Sequence, residues 1–227
     1  MLKLYVGNKN YSSWSMRPWV AMTQAGITFE EVYVRFDGFS ADSQFKQRMT
    51  GINPVGKVPV LQDGELCVWD TLAISEYLAE SFPEKNLWPA DKAFRARARS
   101  ICAEMHSGFS ALRSQCPMNI EALLPNRGAL IWRDHAGVRA DVQRIVDMWT
   151  QLLQSHGGPM LFGAFTLADA YYAPVVMRLH SYALPVPALI REYMDRVQAL
   201  PGVHAWVQAA LAEKDFRDFE EPYRLQP

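Results

Sequence analysis

Three cysteines in 227 residues, Cys67, Cys102 and Cys116, are too few and too irregularly spaced for a disulfide framework. None stands in a CxxC or Cys/His ligand pattern, so no metal site is expected and reduced thiols fit best. Also missing is any run near the roughly 20 apolar residues of a membrane span, and the opening MLKLYVGNKNYSSWSM lacks an apolar signal core. No membrane partner and a cytoplasmic location are expected. Charge of one sign is absent too: 23 Lys+Arg against 24 Asp+Glu leave a formal net charge of -1, with no pull toward nucleic acid. Small molecules become the expected partners. What is present is apolar mass, 49% hydrophobic and 12% aromatic, enough to bury the core of one large domain or two modest ones.

The order of patterns along the chain divides it. Leu2 to Val6 reads as a buried strand, followed by a polar turn and a helix from Arg17 to Ala25 that stops at Gly26. Phe29 to Val34 reads as a second strand, completing a βαβ unit, and Asp37 to Met49 carries loop and short-helix signals. Val58 to Leu61, Asp63-Gly64 and Leu66 to Val68 read as a hairpin, and Asp70 or Thr71 caps a helix carrying Ala73, Ile74, Tyr77 and Leu78. Beyond about residue 92 only helix-period segments follow: Asp91 to Ser114, Leu130 to Ser155, Thr166 to Ser181, Pro187 to Ala199 and Val203 to Ala212. The tail after Phe219 is expected to lie extended on the surface. An α/β unit thus precedes an all-α unit.

Four short motifs now fall in one order. Tyr11-Ser12-Ser13-Trp14-Ser15-Met16-Arg17 opens the first helix; Asn53-Pro54-Val55-Gly56-Lys57-Val58-Pro59 precedes the hairpin; Asp70-Thr71-Leu72-Ala73-Ile74-Ser75-Glu76-Tyr77-Leu78 follows it; Thr166-Leu167-Ala168-Asp169 opens a late helix. In this order and spacing the chain resembles the cytosolic glutathione transferase superfamily, in its serine-type and partly zeta-like form. The resemblance covers nearly the whole chain. It implies a thioredoxin-like α/β glutathione-binding domain over residues 1–82 and an all-helical domain over 92–227 that contributes the electrophile site. It also implies glutathione as co-substrate, a homodimer and a cis Val58–Pro59 bond.

The chemistry to be served is activation of a thiol. A cysteine thiol with a pKa of about 8.5 is mostly protonated at neutral pH, and only the thiolate is a strong nucleophile. A hydroxyl at a helix N-terminus stabilises negative sulfur by hydrogen bond and dipole. By register with the serine-type members, Ser12 is the first choice, with Ser13 and Ser15 as substitutes; a plain turn and helix cap is the ordinary role for such serines. Arg17 supports either the loop or a ligand carboxylate, or is simply structural. The cis bond implied by the resemblance would turn the main chain of Val58 toward the ligand, to pair as a strand edge does. Asp70 and Thr71 suit the γ-glutamyl ammonium and carboxylate, and Lys57 the glycyl carboxylate. Ser13 completes the glutathione-binding set. Trp14, Met105, Phe109 and Arg113 are candidates for the electrophile side, alongside Tyr171 and Tyr172, although such residues at helical spacing are usually core. His106 reads as structural, because no carboxylate partner is evident from spacing. Thr166 and Asp169 form a capping box with a folding role.

The resemblance implies conjugation of a Ser12-stabilised glutathione thiolate to an electrophilic carbon, a detoxification chemistry, without a metal. Two alternatives stand beside it: isomerisation of a maleyl-type diacid, and a glutathione-binding or regulatory protein of the same fold. Against the isomerase, Trp14 replaces the usual cysteine after the two serines, and Ser181 stands where an arginine is expected, with Arg178 nearby.

Overall fold

The computed structural model describes residues 1–224; residues 225–227, the end of the expected helical domain, lie outside them. Strands β1 (Leu2–Val6), β2 (Phe29–Tyr33), β3 (Val60–Asp63) and β4 (Leu66–Trp69) form one sheet in the order β2-β1-β3-β4. β1 and β2 are parallel, which requires a crossover, and α1 (Ser13–Gln24) supplies it. β3 runs antiparallel to both β1 and β4. With α2 (Gln44–Thr50) before the hairpin and α3 (Thr71–Ser81) after it, this is the expected thioredoxin-like arrangement.

The later helices are α4 (Lys92–Ser107), α5 (Ser110–Gln115), α6 (Pro125–Asp134), α7 (Ala136–His156), α8 (Leu167–Ser181), α9 (Ala188–Ala199) and α10 (Pro201–Glu213). Every residue of α8 except His180 is buried, as a helix apolar on all sides must be. Thr166 and Asp169 start it with a complete capping box. Around it, Trp149 meets the rings of Tyr172 (5.4 Å) and Tyr193 (5.0 Å) edge to face. Such aromatic pairs add about 0.5–1.5 kcal/mol each beyond the area they bury.

Three expectations need correction. The helix expected from Asp91 to Ser114 breaks at Gly108 and at Phe109, whose φ is 53°. Its second piece, α5, is started by a tertiary cap, the Leu112 N–H donating to Asp141 on α7 (2.9 Å). Periodicity alone carries no trace of that partner. The helix expected from Leu130 to Ser155 starts earlier, at Pro125, and breaks at His135. There Arg139 donates to the carbonyls of Trp132 (2.6 Å) and Arg133 (2.9 Å), closing the end of α6. The tail is not a free surface strand: Glu221 is fully buried and accepts from the Tyr11 hydroxyl (2.5 Å).

The α/β and helical parts are joined where α1 packs on α8 and α10. Trp19 of α1 stacks edge to face on Trp206 of α10 (5.3 Å), with the Lys9 ammonium over both rings. The loop before α1 is thereby held from the far end of the chain.

Candidate active site

The loop 7–12, which ends on Ser12, is tied down at almost every residue. Gly7 is required by packing, because a Cβ there would lie 2.2 Å from the Phe36 ring. The Asn8 amide donates to Asp215 (2.9 Å), and its oxygen accepts from the Phe36 N–H (2.8 Å). The Lys9 N–H donates to Glu213 (2.7 Å), and Asn10 accepts from the N–H groups of Ile120 and Glu121 (both 2.8 Å). Tyr11 is committed to Glu221; burial, reinforced by that carboxylate, pushes its phenol up. These contacts make a rigid entrance to α1.

Ser12 stands at the N-cap of α1, yet its side chain makes no capping hydrogen bond. Its hydroxyl instead donates to Ser15 Oγ (2.7 Å), which also accepts from the Gly7 N–H (3.2 Å). Ser13 Oγ accepts from Arg178 Nη2 (3.2 Å), 165 residues away on α8. Ser12 and Ser13 both line a cavity of about 380 Å³, together with Lys57, Val58, Arg113 and Arg178. Phe36, Phe39 and Phe45 form its aromatic wall, and Glu220 of the tail faces it. Burial and the neighbouring Glu221 push the Glu220 carboxyl up to about 7.

A second cavity, of about 430 Å³, shares Trp14, Lys57, Val58 and Arg113 with the first, so the two form one continuous cleft. Its far wall is Asp70, Thr71 and His106. The Val58–Pro59 peptide is cis, and Val58 lies two residues before the β3 ladder begins at Val60. Asn53 shapes the preceding turn, donating to the Lys57 carbonyl (3.1 Å) and accepting from the Val55 N–H (3.1 Å). Lys46 is engaged by the carbonyls of Val55 (2.8 Å) and Gly56 (3.1 Å), whereas the Lys57 side chain is exposed at the cleft.

Asp70 holds φ 75° and ψ 133°, a backbone conformation that costs an L residue about 1–3 kcal/mol and that gathers at functional sites. Its Oδ1 accepts from the Leu72 N–H (2.8 Å), capping α3. Thr71 is buried, and its hydroxyl has no hydrogen-bond partner among the described residues. The Tyr171 hydroxyl faces Thr71 and Ser75 without reaching hydrogen-bond geometry to either.

His106 has the carboxylate partner that spacing did not reveal: its Nε2 lies 3.3 Å from Asp70 Oδ2. Met105 and Phe109, candidates for the electrophile side, are buried within the helical core, and the two cavities are walled without them. Tyr172 is likewise core, donating to the Ile101 carbonyl (2.9 Å). Trp14 is in the cleft wall, half-buried, with the guanidiniums of Arg17 (4.3 Å) and Arg113 (5.0 Å) on its ring. Arg113 belongs to the short α5 and not to a single long helix.

Arg17, Arg113 and Arg178 form no ion pair among the described residues. Burial lowers Arg17 to about 10. Burial, then the charges of Arg17 and Arg113, lowers Arg178 to about 9. The cleft is therefore electropositive around Ser13 and Trp14. In the sequence Arg178 stood out only by lying near Ser181, where the resemblance expects an arginine; nothing local showed that it reaches Ser13. Two of the three cysteines are held as thiols at neutral pH: burial drives Cys102 well above its ordinary range and Cys116 up to about 12.

Comparison with known proteins gives the family. Residues 11–81 match the family model for the glutathione S-transferase N-terminal domain, and residues 120–209 that for the C-terminal domain. The chain is similar to glutathione S-transferase Z1 of Arabidopsis thaliana, 39% identical over 222 residues, covering 91% of this chain and 92% of that protein. It is 27% identical over 192 residues to maleylacetoacetate isomerase of Rattus norvegicus, covering 82% and 83%. A glutathione transferase homolog from Burkholderia gl BGR1, solved with bound glutathione, shares the fold with a TM-score of 0.70 at 24% identity over 92% of this chain and 97% of that one. The chain belongs to the glutathione S-transferase family.

Proposed function

We propose that this protein binds glutathione along the cleft and transfers its thiolate to an electrophilic carbon. One observation carries the reading: Ser12 and Ser13, Val58 before its cis proline, and Asp70 with Thr71 line one continuous cleft. In this reading residues 1–82 bind glutathione, and the helical part from residue 92 supplies the electrophile side. Ser12 serves the sulfur. Because a hydroxyl rotates, the Ser12–Ser15 hydrogen bond can reverse, so that Ser15 donates to Ser12 and the Ser12 proton turns to the thiolate. Val58 pairs with the ligand backbone, outside the β3 ladder. The unpartnered Thr71 hydroxyl and the first turn of α3 take the γ-glutamyl carboxylate, Asp70 takes its ammonium, and Lys57 takes the glycyl carboxylate. Trp14 and Arg113 face the electrophile. A homodimer acting in the cytoplasm completes the proposal.

A specific observation favours keeping isomerisation of an acidic substrate as the second reading. Arg178 reaches Ser13, and with Arg113 it places unpaired guanidiniums in the cleft where a substrate carboxylate would bind. A panel of neutral and carboxylate-bearing electrophiles separates the two, since only the second reading demands an acidic substrate. The primary test is the ultraviolet thiolate absorbance of bound glutathione against pH. A thiol pKa well below the free value, returned toward it by Ser12→Ala, is the expected result; glutathione bound with an unshifted thiol would leave only a binding protein.

A further inference from the structure

Asp70 is over-determined in a way that a cap alone does not need. Its Oδ1 is spent on the Leu72 N–H, while its Oδ2 faces His106 Nε2 at 3.3 Å across the junction between the α/β and helical parts. The His106 ring is fixed on its other sides. It stands edge to face against Trp14 at 5.1 Å, its Nδ1 is buried without a hydrogen-bond partner among the described residues, and its carbonyl accepts from Arg113 (3.3 Å). Nε2 is thus the ring nitrogen turned toward the carboxylate, 3.3 Å from Asp70 Oδ2.

From this geometry we infer that His106 is a positioning residue for ligand recognition, orienting the Asp70 carboxylate so that the cleft selects ligands carrying an α-ammonium group. The inference rests on the proposed glutathione site. A carboxylate offers about four acceptor positions. The helix cap takes one, and the His106 contact at 3.3 Å holds Oδ2 at the wall of the cavity that Asp70, Thr71 and His106 line together. Without the imidazole the carboxyl group is held only by the Leu72 N–H and is free to turn about χ2. Residues from the two parts of the fold then act on one ligand group, although the sequence separates them by 36 positions (106 minus 70).

The test compares glutathione with its desamino analogue, the same tripeptide lacking the α-ammonium, in the wild type and in His106→Ala, His106→Gln and Asp70→Asn. Dissociation constants come from calorimetry, KM and kcat from conjugation, and folding is monitored by thermal melting. Releasing the Asp70 carboxylate from this contact predicts about a fivefold to tenfold rise in the KM for glutathione in His106→Ala, about 1 kcal/mol. The kcat at saturation and the affinity for the analogue stay within about twofold, and His106→Gln, which keeps an N–H donor, restores most of the preference. Equal weakening of both ligands in both His106 variants would overturn the inference and make His106 a packing residue, with the glutathione reading intact. No preference of the wild type for glutathione over the analogue, or a preference unchanged by Asp70→Asn, would overturn it by removing Asp70 from the ammonium. Failure of the wild type to bind glutathione at all would overturn the proposed function itself.

Discussion

Two helices of this protein begin with the same pair of residue types, an aspartate and a threonine, and the two beginnings behave in opposite ways. At the start of α8, Asp169 is fully buried and every polar group turns inward. Its carboxylate accepts from the N–H groups of Leu161 (3.1 Å) and Thr166 (2.9 Å) and from the Tyr193 hydroxyl (3.0 Å). Thr166 in turn accepts from the Ala168 N–H (3.3 Å). At the start of α3, Asp70 is exposed at positive φ, half its carboxylate faces His106 and a cavity, and the buried Thr71 hydroxyl has no partner among the described residues. A satisfied terminus stabilises; one left with unspent donors is prepared for a ligand.

The largest effect that tests this contrast is on stability. Asp169→Ala leaves four buried donors, the N–H groups of Leu161 and Thr166 and the hydroxyls of Thr166 and Tyr193, without their acceptor and is expected to lower unfolding free energy by about 3–5 kcal/mol in urea titrations. Asp70→Ala removes one exposed cap, about 1 kcal/mol. Comparable losses at the two sites would break the comparison.

The threonines sharpen it. Thr166→Val loses a cap and should cost about 1 kcal/mol, whereas Thr71→Val replaces a hydroxyl with no hydrogen-bond partner among the described residues and should leave the melting temperature nearly unchanged. The same Thr71→Val is expected to raise the KM for glutathione about tenfold, the loss of one hydrogen bond to a charged carboxylate. A neutral effect on binding would remove Thr71 from the ligand site.

A smaller effect lies in pH. Burial raises the Asp169 carboxyl from 3.8 to about 6, although its hydrogen bonds act in the opposite direction. The folded state therefore holds this proton more tightly than the unfolded chain, and the stability it contributes is lost as pH rises from about 3.8 through about 6. Asp169→Asn should flatten the melting temperature over that window. Glu220 predicts the same sign between 4.5 and about 7 at the cleft mouth, checked with Glu220→Gln.

Legibility followed distance along the chain. The capping box was readable because its two members are three residues apart, and β1 to β4 because strand alternation and the Asp63-Gly64 turn are local. Ser12 was nameable only by register. That its hydroxyl is spent on Ser15 and not on the helix, and that Ser13 is held by Arg178, depends on how α8 lies against α1. The breaks at Phe109 and His135 were hidden because their causes, Asp141 and Arg139, act through space on backbone groups that periodicity treats as continuous helix.

By itself, then, the sequence determined the order of elements, the switch from an α/β unit to helices, and the local motifs, all set by hydrophobic period and by turn and cap chemistry within a few residues. The tertiary structure alone decided that His106 faces Asp70, that Tyr11 holds Glu221, that Met105 and Phe109 are core, and that Arg17 and Arg113 sit on the Trp14 ring while Arg178 reaches Ser13, none of the three in an ion pair among the described residues. Hydrogen bonds and charges act over ångströms in space, and packing, not spacing along the chain, determines which distant groups come within reach.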